Sequence, residues 1–454
     1  MQYSTLDTGF APMEIVLRQY ENDVKNADHQ RILLAVERNK GLCERYEMDI
    51  FRDGTNDERN FGMIERIVKS LLWVYGGWKI YVYGSRPVFD YLHAAYQPDG
   101  LRHFDVWFMS RVYERPFEVV YAECECAVPA AKRNPSAVGR HLNGCRIGFD
   151  AGGSDRKVSA VIDGESVYSE EVVWHPKTQS DPEYHYQGIM DAFRTAASKM
   201  PRVDGIGVST AGVIIDSRVM VASLFVKVND ADFERRVKNI YLDAAKELGE
   251  NIPIEVANDG DVTALAGAMN MNENGVLGIA MGTSEAGGYV DMDGNITGWL
   301  NELAFVPVDF NQNSAVDEWS GDYGCGVKYF SQDAAIKLAP AAGIKLDDGA
   351  TPGEKLKTIQ ALMEKNDPRA AAIYRTIGEY FGYQLAYYDR FYDYRHVLIM
   401  GRVTSGEGGE ILLAAAKEVL HREFPDLAAR IELNIPDESS RRVGQSVAAA
   451  SLPE

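Results

Sequence analysis

Two stretches of this chain, about 130 residues apart, carry the same order of features, and this repetition restricts the fold more than any other part of the sequence. "CRIGFDAGGSDRKVSAVIDGESVYSEEVVWH" and "VLGIAMGTSEAGGYVDMDGNITGWL" each have an apolar run, a glycine-rich loop, and a second apolar run that ends in an Asp-Gly pair. Asp163-Gly164 and Asp293-Gly294 suit tight hairpins because these residue types accept positive φ. The pattern predicts three strands in each stretch, and therefore a duplicated fold with two similar halves.

Strand and helix patterns alternate around these stretches, which is typical of α/β proteins. Helices are predicted for "YHYQGIMDAFRTAASKM", "ADFERRVKNIYLDAAKELG" and "VTALAGAM", and strands for "VDGIGVST", "IPIEVA" and "HVLIMG". The C-terminal third is mostly helical. Its aromatic-rich helix, "AAIYRTIGEYFGYQLAYYDRFYDY", is interpreted as core packing rather than a cofactor site.

The first 145 residues differ from the rest and are predicted to form a separate α/β domain. "NFGMIERIVKSLLWVYGG" and "SRPVFDYLHAAY" have helical spacing, and the first ends on Gly76-Gly77. "WKIYVYG" and "RPFEVVYAECECAV" alternate like strands. Residues 130–144 are interpreted as a linker. No helix-turn-helix pattern is found, and the sequence assigns this domain no role.

The charge of the 454-residue chain bears on its partners. Asp and Glu total 67 against 47 Lys and Arg, a formal charge of -20. Such a charge repels phosphate backbones and anionic lipids, so we expect neither nucleic acid nor membrane as a partner. A small phosphorylated ligand remains compatible, because local loops or a metal can override the overall sign. With no signal peptide and no membrane-spanning stretch in the sequence, we expect a cytoplasmic protein.

Five cysteines are present, and two of them form Cys124-Glu-Cys126 in an alternating run. Residues i and i+2 share one face of a strand. We interpret the two as a buried, reduced pair rather than a metal or redox site.

The two glycine loops, Asp150-Ala-Gly-Gly-Ser154 and Gly282-Thr-Ser-Glu-Ala-Gly-Gly288, are candidate phosphate sites. Several backbone N–H groups can point into one cavity there, and glycine leaves the approach open. Either loop alone is equally consistent with a simple turn, but their repetition favours a nucleotide held between them. Asp150 could hold Mg²⁺ through water, or could only stabilise the turn.

The stretch "IPIEVANDGDVTALAGA" places polar groups at a strand-to-helix joint. Ligands bind at the carboxyl ends of strands in open α/β sheets. Asp261 fits the N-cap of the helix. Asp259 could then accept the proton of a substrate hydroxyl that Asn258 orients, and a doubly capped helix is the alternative.

Residues 146–450 resemble the ROK family of sugar kinases and sugar-responsive repressors. The resemblance rests on an ordered series of segments: "IGFDAGGSDRKVSAVIDGE", "GIGVSTAGVIIDSRVM", "NDGDVTALAGA", "MGTSEAGGYV", "NELAFVPV", "VLIMGRVTSGEGGE" and "RRVGQSVAAASL". It implies a duplicated actin/hexokinase-like (ribonuclease H-like) two-lobed fold after the N-terminal α/β domain. The implied domains are 1–145, a first lobe of 146–257 with the C-terminal helix 438–454, and a second lobe of 258–437.

The resemblance also implies roles for individual residues. Asp259 would be the general base, and Asn258, Glu302, Thr210 and Gly212 would contact the sugar. Asp150 would attend Mg²⁺ through water. ATP would be bound by Gly152, Gly153, Ser154, Gly282, Thr283, Gly287, Gly288 and Gly401.

Several positions depart from the family pattern. Phe305 stands at the metal-binding His, and only Cys325 remains of the Cys-Gly-x-x-Gly-Cys run, so no structural zinc is predicted. Thr210-Ala-Gly212 replaces Pro-Gly-Pro, and Asp155 stands where Thr or Lys is usual. Glu285 puts an acid in the second phosphate loop, where it would oppose ATP unless it points away or meets Mg²⁺. Arg402 replaces a glycine beside the adenosine.

The sequence thus predicts an ATP- and Mg²⁺-dependent kinase that phosphorylates a hydroxyl of a sugar or polyol. The resemblance implies a homodimer or tetramer. The alternative is a catalytically weak, sugar-sensing binding protein, which Glu285 and the missing zinc ligands favour. A DNA-binding repressor is disfavoured by the acidic charge.

Overall fold

A computed structural model describes residues 2–133, 138–436 and 438–454, with the backbone alone for 438–443. The predicted linker includes 134–137, which lie outside the described residues, as does residue 437 at the end of the predicted second lobe. The N-terminal part has a four-stranded sheet in the order β2-β1-β3-β4, as predicted for an α/β domain. Its elements are α1 (Met13–Lys25), β1 (His29–Glu37), β2 (Cys43–Phe51), α2 (Asp57–Tyr75), β3 (Lys79–Tyr83), α3 (Arg86–Ala95), α4 (His103–Tyr113) and β4 (Glu118–Tyr121).

The cysteine prediction for this domain is wrong. Strand β4 ends at Tyr121, before either cysteine, and the chain then turns. Cys124 and Cys126 form a disulfide with each other, and Cys126 is exposed. The alternating pattern of apolar residues extends past the end of the strand, so it does not place the two cysteines on a strand.

The first of the two similar halves contains a five-stranded sheet in the order β11-β8-β5-β6-β7. Asp163 and Gly164 have φ of 48° and 86°, as the predicted hairpin requires. The second predicted helix is interrupted by a π-helical turn, Phe233–Val237. The elements are β5 (Cys145–Ala151), β6 (Asp155–Ile162), β7 (Glu165–Val173), α5 (Pro182–Ala197), β8 (Gly205–Thr210), β9 (Val213–Ile215), β10 (Arg218–Val221), α6 (Asp230–Asp232), α7 (Ile240–Leu248) and β11 (Ile254–Asn258).

The second half contains a four-stranded sheet in the order β13-β12-β14-β15. In both halves the first strand pairs antiparallel with the second and parallel with a later one, so the predicted duplication is confirmed. The elements are α8 (Asp259–Met271), β12 (Val276–Met281), β13 (Glu285–Val290), α9 (Gln332–Leu338), α10 (Pro352–Met363), α11 (Pro368–Tyr388), β14 (His396–Met400), α12 (Glu407–Glu423), α13 (Pro425–Ala428), β15 (Glu432–Asn434) and α14 (Glu438–Ala450).

The third strand predicted for the second half does not form. After Gly294 the chain makes only an isolated bridge, between Val290 and Ile296. The N–H groups of Leu300, Asn301 and Glu302 donate instead to backbone carbonyls at the end of helix α2. The segment that follows the predicted strand is therefore hydrogen-bonded to a helix far away in the sequence.

The C-terminal helix α14 packs against strands β5 and β8 of the first half at backbone distance. A Cβ on Gly148 would lie 1.9 Å from the carbonyl oxygen of Ser446, and one on Gly207 would lie 1.6 Å from that of Ala449. Glycine is therefore required on both strands, because any side chain would push the helix away.

Two separate hydrophobic clusters form most of the core. One lies within the first half, around Phe149, Phe193 and Tyr241. Another joins the N-terminal domain to the second half, and it includes the aromatic residues of α11, such as Tyr380, so the interpretation of that helix as core packing is confirmed. None of the helices within the described ranges has the length and apolar character needed to cross a bilayer.

Gly207→Ala is expected to destabilise the fold by about 3 kcal/mol, because its methyl group would overlap the backbone of α14. The midpoint of urea unfolding measures this change. Gly353→Ala, in helix α10 with open space around it, is the matched control and should be neutral or stabilising by up to about 1 kcal/mol. Equal midpoints for both variants would contradict the close packing of α14.

Candidate functional site

The joint between β11 and α8 holds an amide and a carboxylate in fixed positions. Asn258 is the N-cap of α8, and its side-chain oxygen accepts a hydrogen bond from the N–H of Gly260 at 2.7 Å. Its amide nitrogen donates to the carbonyl of Gly212 at 2.8 Å. Asp259, the first residue of the helix, accepts from the same Gly260 N–H at 3.0 Å. The amide therefore ties the joint to the loop after β8, and Asp259 lies in the first turn.

The assignment of Asp261 as the N-cap is wrong, because Asn258 has that role. Asp261 is buried inside the first turn and accepts hydrogen bonds from the N–H of Tyr289 and the amide of Asn301, at 3.0 and 2.9 Å. Burial raises its pKa to about 7. The residue links α8 to β13 and to the segment before Glu302.

Three carboxyl groups from different elements converge near this joint. Burial, the hydrogen bond from Ser209 and the negative charge of Asp259 together give Asp150, on β5, a raised pKa of about 6. Burial, followed by the charges of Asp259 and Asp261, raises the pKa of Glu302 to about 7. Burial also raises the pKa of Asp259 itself. The charge of Asp259 thus acts on both Asp150 and Glu302.

The first glycine loop, 152–154, is braced by Trp174. The indole nitrogen donates to the carbonyl of Gly152 at 2.7 Å, and the Trp174 N–H donates to the carbonyl of Ser154 at 3.1 Å. Within the described ranges, the N–H groups of Gly153 and Ser154 have no protein acceptor. With its carbonyls occupied and these donors free, the loop has the chemistry of an anion site.

Lys177 lies over this loop, and no sequence motif pointed to it. A Cβ on Gly153 would lie 3.2 Å from the Lys177 ammonium, which also lowers the pKa of Asp259. The lysine follows strand β7 in a short 3₁₀ turn, Pro176–Thr178. It supplies a positive charge to a loop whose flanking residues, Asp150 and Asp155, are acidic.

The second glycine loop is shorter than its sequence suggested. Only 282–284 lie outside the strands, whereas Gly287 and Gly288 belong to β13. A Cβ on Gly288 would lie 2.0 Å from the carbonyl oxygen of Gly260, and one on Gly287 would lie 2.6 Å from Cγ of Leu303, so Gly288 admits the first turn of α8 and Gly287 admits Leu303. Their contact with ATP stays a prediction.

Residues 282–284 keep the features of an anion site. Across the described part of the chain, the N–H groups of Thr283 and Ser284 have no protein acceptor. Arg402 donates to the hydroxyl of Thr283 and so brings a guanidinium to the loop. Gly401, at φ 102°, lies against Met281 just before the loop, where a Cβ would come within 2.3 Å of the Met281 carbonyl oxygen.

The two predicted sugar contacts after β8 differ in their surroundings. The hydroxyl of Thr210 hydrogen-bonds that of Tyr241 at 2.9 Å and is fully buried in the first half. It therefore points into the core. Gly212, at φ 113°, is fixed by the Asn258 amide at the joint.

Glu285 does not oppose an anion at the second loop. Its side chain is buried and accepts a hydrogen bond from Tyr388 at 3.3 Å, and a Cβ on Gly326 would lie 2.2 Å from its other oxygen. Burial raises its pKa to about 8, so the group is mostly neutral at pH 7. It points away from the loop, into the core of the second half.

Residues that could hold a metal are few. Among the described residues, no group of three or more His, Cys, Asp or Glu side chains is arranged for a metal ion. Phe305 packs on Trp73, with ring centroids 4.2 Å apart, and the thiol of Cys325 is buried beside Asp322. The absence of structural zinc stays a prediction. Asp150 has one oxygen bonded to Ser209 at 2.9 Å, and its carboxylate chemistry suits Mg²⁺ through water.

Two lobes with the same strand order, and carboxylates at the joint between them, define a duplicated actin/hexokinase-like (ribonuclease H-like) fold. The sequence profile of the ROK family matches residues 146–447, more than half of the chain, and the protein belongs to this family. The family resemblance found in the sequence is thereby confirmed. A search of curated protein sequences finds no significant match.

Solved structures share this fold. The chain is similar to a ROK hexokinase from Thermus thermophilus, with a TM-score of 0.51, 18% identity, and coverage of 68% of this chain and 97% of that one. A ROK family glucokinase from Streptomyces griseus, solved with glucose and AMPPNP, has a TM-score of 0.50 and 21% identity, and the match covers 68% of this chain and 99% of that one. A ROK family transcriptional regulator, a homolog of the E. coli MLC protein, has a TM-score of 0.51 and 17% identity, and the match covers 68% of this chain and 79% of that one.

The pKa of Glu285 leads to a test of its burial. Because its folded pKa is raised, its neutral form stabilises the fold at low pH, and this stabilisation is lost as the pH rises through about 8. Glu285→Gln removes the titration. From pH 5.5 to 9, the free energy of unfolding of the variant should therefore improve relative to wild type by about 3 kcal/mol.

Urea unfolding at the two pH values provides the measurement. Glu250→Gln, at an exposed position, is the control and should show no such change. A difference between Glu285→Gln and wild type that does not depend on pH would contradict the buried, neutral state of Glu285.

Proposed function

We propose that this protein is an ATP- and Mg²⁺-dependent kinase that phosphorylates a hydroxyl of a sugar or sugar-like polyol. The observation that carries the proposal is the position of Asp259. Its carboxyl group accepts from the Gly260 N–H in the first turn of α8, directly after the N-cap Asn258, and its charge acts on Asp150 and Glu302. The ROK hexokinase and glucokinase among its structural relatives support this class of reaction.

Asp259 is the general base in this proposal. A carboxylate with a raised pKa binds a proton more strongly, and so withdraws it more effectively from a hydroxyl that attacks phosphorus. The carboxyl group of Glu302 has no hydrogen-bond partner within the described residues, so it can accept from or donate to a sugar hydroxyl. Asn258 and Gly212 complete the acceptor side, while the buried hydroxyl of Thr210 would act only by supporting the loop.

The nucleotide side of the proposal uses the two loops. The free N–H groups of Gly153, Ser154, Thr283 and Ser284 would bind phosphate oxygens, with Gly152 and Gly282 keeping the approach open. Lys177 and Arg402 would add charge-assisted hydrogen bonds. Gly401 would leave room for the adenosine, and Gly287 and Gly288 would keep α8 in place.

Asp150 would hold Mg²⁺ through water, with Ser209 fixing its other oxygen. Bound Mg²⁺ would neutralise charge on the transferred phosphoryl group. We further propose the domain division 1–145, 146–257 with 438–454, and 258–437. ATP and a small sugar or polyol would be the ligands of a cytoplasmic homodimer or tetramer.

A second candidate is a sugar-sensing protein with weak catalysis. Phe305 favours it, because that side chain packs against Trp73 and offers no hydrogen bond to a sugar. The ROK family transcriptional regulator among the structural relatives is compatible with it.

Asp259→Asn separates the candidates. We expect it to reduce turnover by roughly 10²–10⁴-fold while sugar binding is retained, because the amide cannot take the proton. ADP release over a panel of sugars and polyols measures turnover, and calorimetry measures binding. Wild-type binding of a sugar without turnover would favour the sensor, and an unaffected Asp259→Asn enzyme would overturn the role of this residue.

Lys177→Gln tests the nucleotide side. Loss of the ammonium over the first loop should raise KM for ATP by roughly tenfold, with KM for the acceptor unchanged. Steady-state kinetics with each substrate varied in turn provide the measurement. Lys246→Gln, at an exposed lysine of α7, is the control, and an equal effect of both variants would argue against a phosphate contact for Lys177.

A further inference from the structure

The last turn of helix α2, in the N-terminal domain, hydrogen-bonds the segment that contains Glu302. The final carbonyls of a helix have no partner within it. Here the carbonyls of Trp73, Val74 and Tyr75 accept from the N–H groups of Glu302, Asn301 and Leu300, at 3.0, 3.0 and 3.3 Å. Three successive residues, the last of which is the candidate site residue Glu302, are thus held by backbone hydrogen bonds to the end of one helix.

Helix α2 ends at Tyr75 because the next residue is Gly76. Gly76 follows it at φ 82°, a conformation that favours glycine. A Cβ on Gly76 would lie 2.0 Å from the Tyr113 hydroxyl and 3.3 Å from Cβ of Leu300. No larger residue fits between the helix end and the segment 300–302.

Side chains hold the same segment beyond its backbone. The Trp73 ring lies 4.2 Å from that of Phe305, and its indole nitrogen donates to Asp105 at 3.0 Å. On the other side, Asn301 accepts from the hydroxyl of Tyr392 and donates to Asp261, both at 2.9 Å. Glu302 therefore lies between two fixed neighbours, Asn301 and the 3₁₀ turn Leu303–Phe305.

Buried charges fix α2 against the second lobe. Arg66 and Lys69 each reach Asp322 at 2.9 Å, and all three side chains are at most 6% exposed. Arg102, from α4, reaches the same carboxylate at 2.8 Å. Loss of one partner in such a cluster leaves an uncompensated buried charge, so the cluster resists any sliding of α2 along the lobe.

We propose that Trp73 and the C-terminal turn of α2 are positioning elements of the active site, which hold Glu302 at the acceptor through the backbone of 300–302 and the ring of Phe305. This proposal rests on the role proposed above for Glu302. It makes the N-terminal domain a structural part of the catalytic centre, required for acceptor binding. In this arrangement a helix from a separate domain completes the second lobe where the third strand is missing.

The first test needs no substrate. Hydrogen exchange of a peptide covering residues 298–305 should accelerate by at least tenfold in Trp73→Ala, because the turn that accepts its N–H groups loses its support. Tyr20→Phe is the matched control, because it removes a buried hydrogen bond to Asn60 near the other end of α2. Equal exchange of this peptide in Trp73→Ala and the control would overturn the proposal.

Phe305→Leu provides a second route if Trp73→Ala does not fold. It removes the same ring contact from the side of the second lobe and leaves α2 unchanged. The same acceleration of exchange at 298–305 supports the proposal, and unchanged exchange contradicts it.

The second test measures kinetics with glucose, or with whichever sugar of the panel is turned over fastest. Phe305→Leu should raise KM for the acceptor by roughly tenfold with little change in KM for ATP. In a Glu302→Gln background the same substitution should have no further effect, because both act through one contact. Full additivity of the two changes would overturn the proposal. Absence of wild-type turnover with every sugar would reject the kinase proposal instead, and the exchange test would still decide the role of α2.

Discussion

Direct contact between backbones, where α8 begins beside β13, fixes the position of the candidate base. A Cβ on Gly260 would lie 2.2 Å from the carbonyl oxygen of Gly287, and one on Gly288 would lie 2.0 Å from that of Gly260. Glycine on both sides lets the first turn of the helix touch the strand without intervening side chains. Asp259, which follows a strand of the first lobe, is in this way fixed against the sheet of the second.

The sequence was sufficient for features that depend on neighbours along the chain. The hairpin at Asp163-Gly164, the strand-to-helix joint at Asn258 and the end of α2 at Gly76 follow from local rules of turns and caps. The duplicated strand order followed from the repeat. In the hairpin, the joint and the helix end, the residues responsible lie within a few positions of each other.

Features that depend on distant partners were missed or misread. Gly287 and Gly288 were predicted to lie in a loop but belong to strand β13, because their contact with Gly260, in another element, cannot be recognised from the local sequence. Asp261 read as a cap because its partners, Tyr289 and Asn301, lie well downstream. Lys177 carried no motif, since its relevance depends only on where a short turn places it over the first glycine loop. The hydrogen bonds of residues 300–302 were missed because their partner is a helix more than 200 residues earlier in the chain.

The N-terminal domain contacts the first lobe by two kinds of chemistry. Its apolar cluster extends beyond the second lobe to Val213 and Met220 of the first, and ion pairs join Lys40 to Asp216 and Glu114 to Arg218 and Lys238. Dissolved salt screens charges at the surface but leaves apolar packing intact. Raised ionic strength therefore weakens these ion pairs, while the apolar contacts continue to hold the N-terminal domain against both lobes.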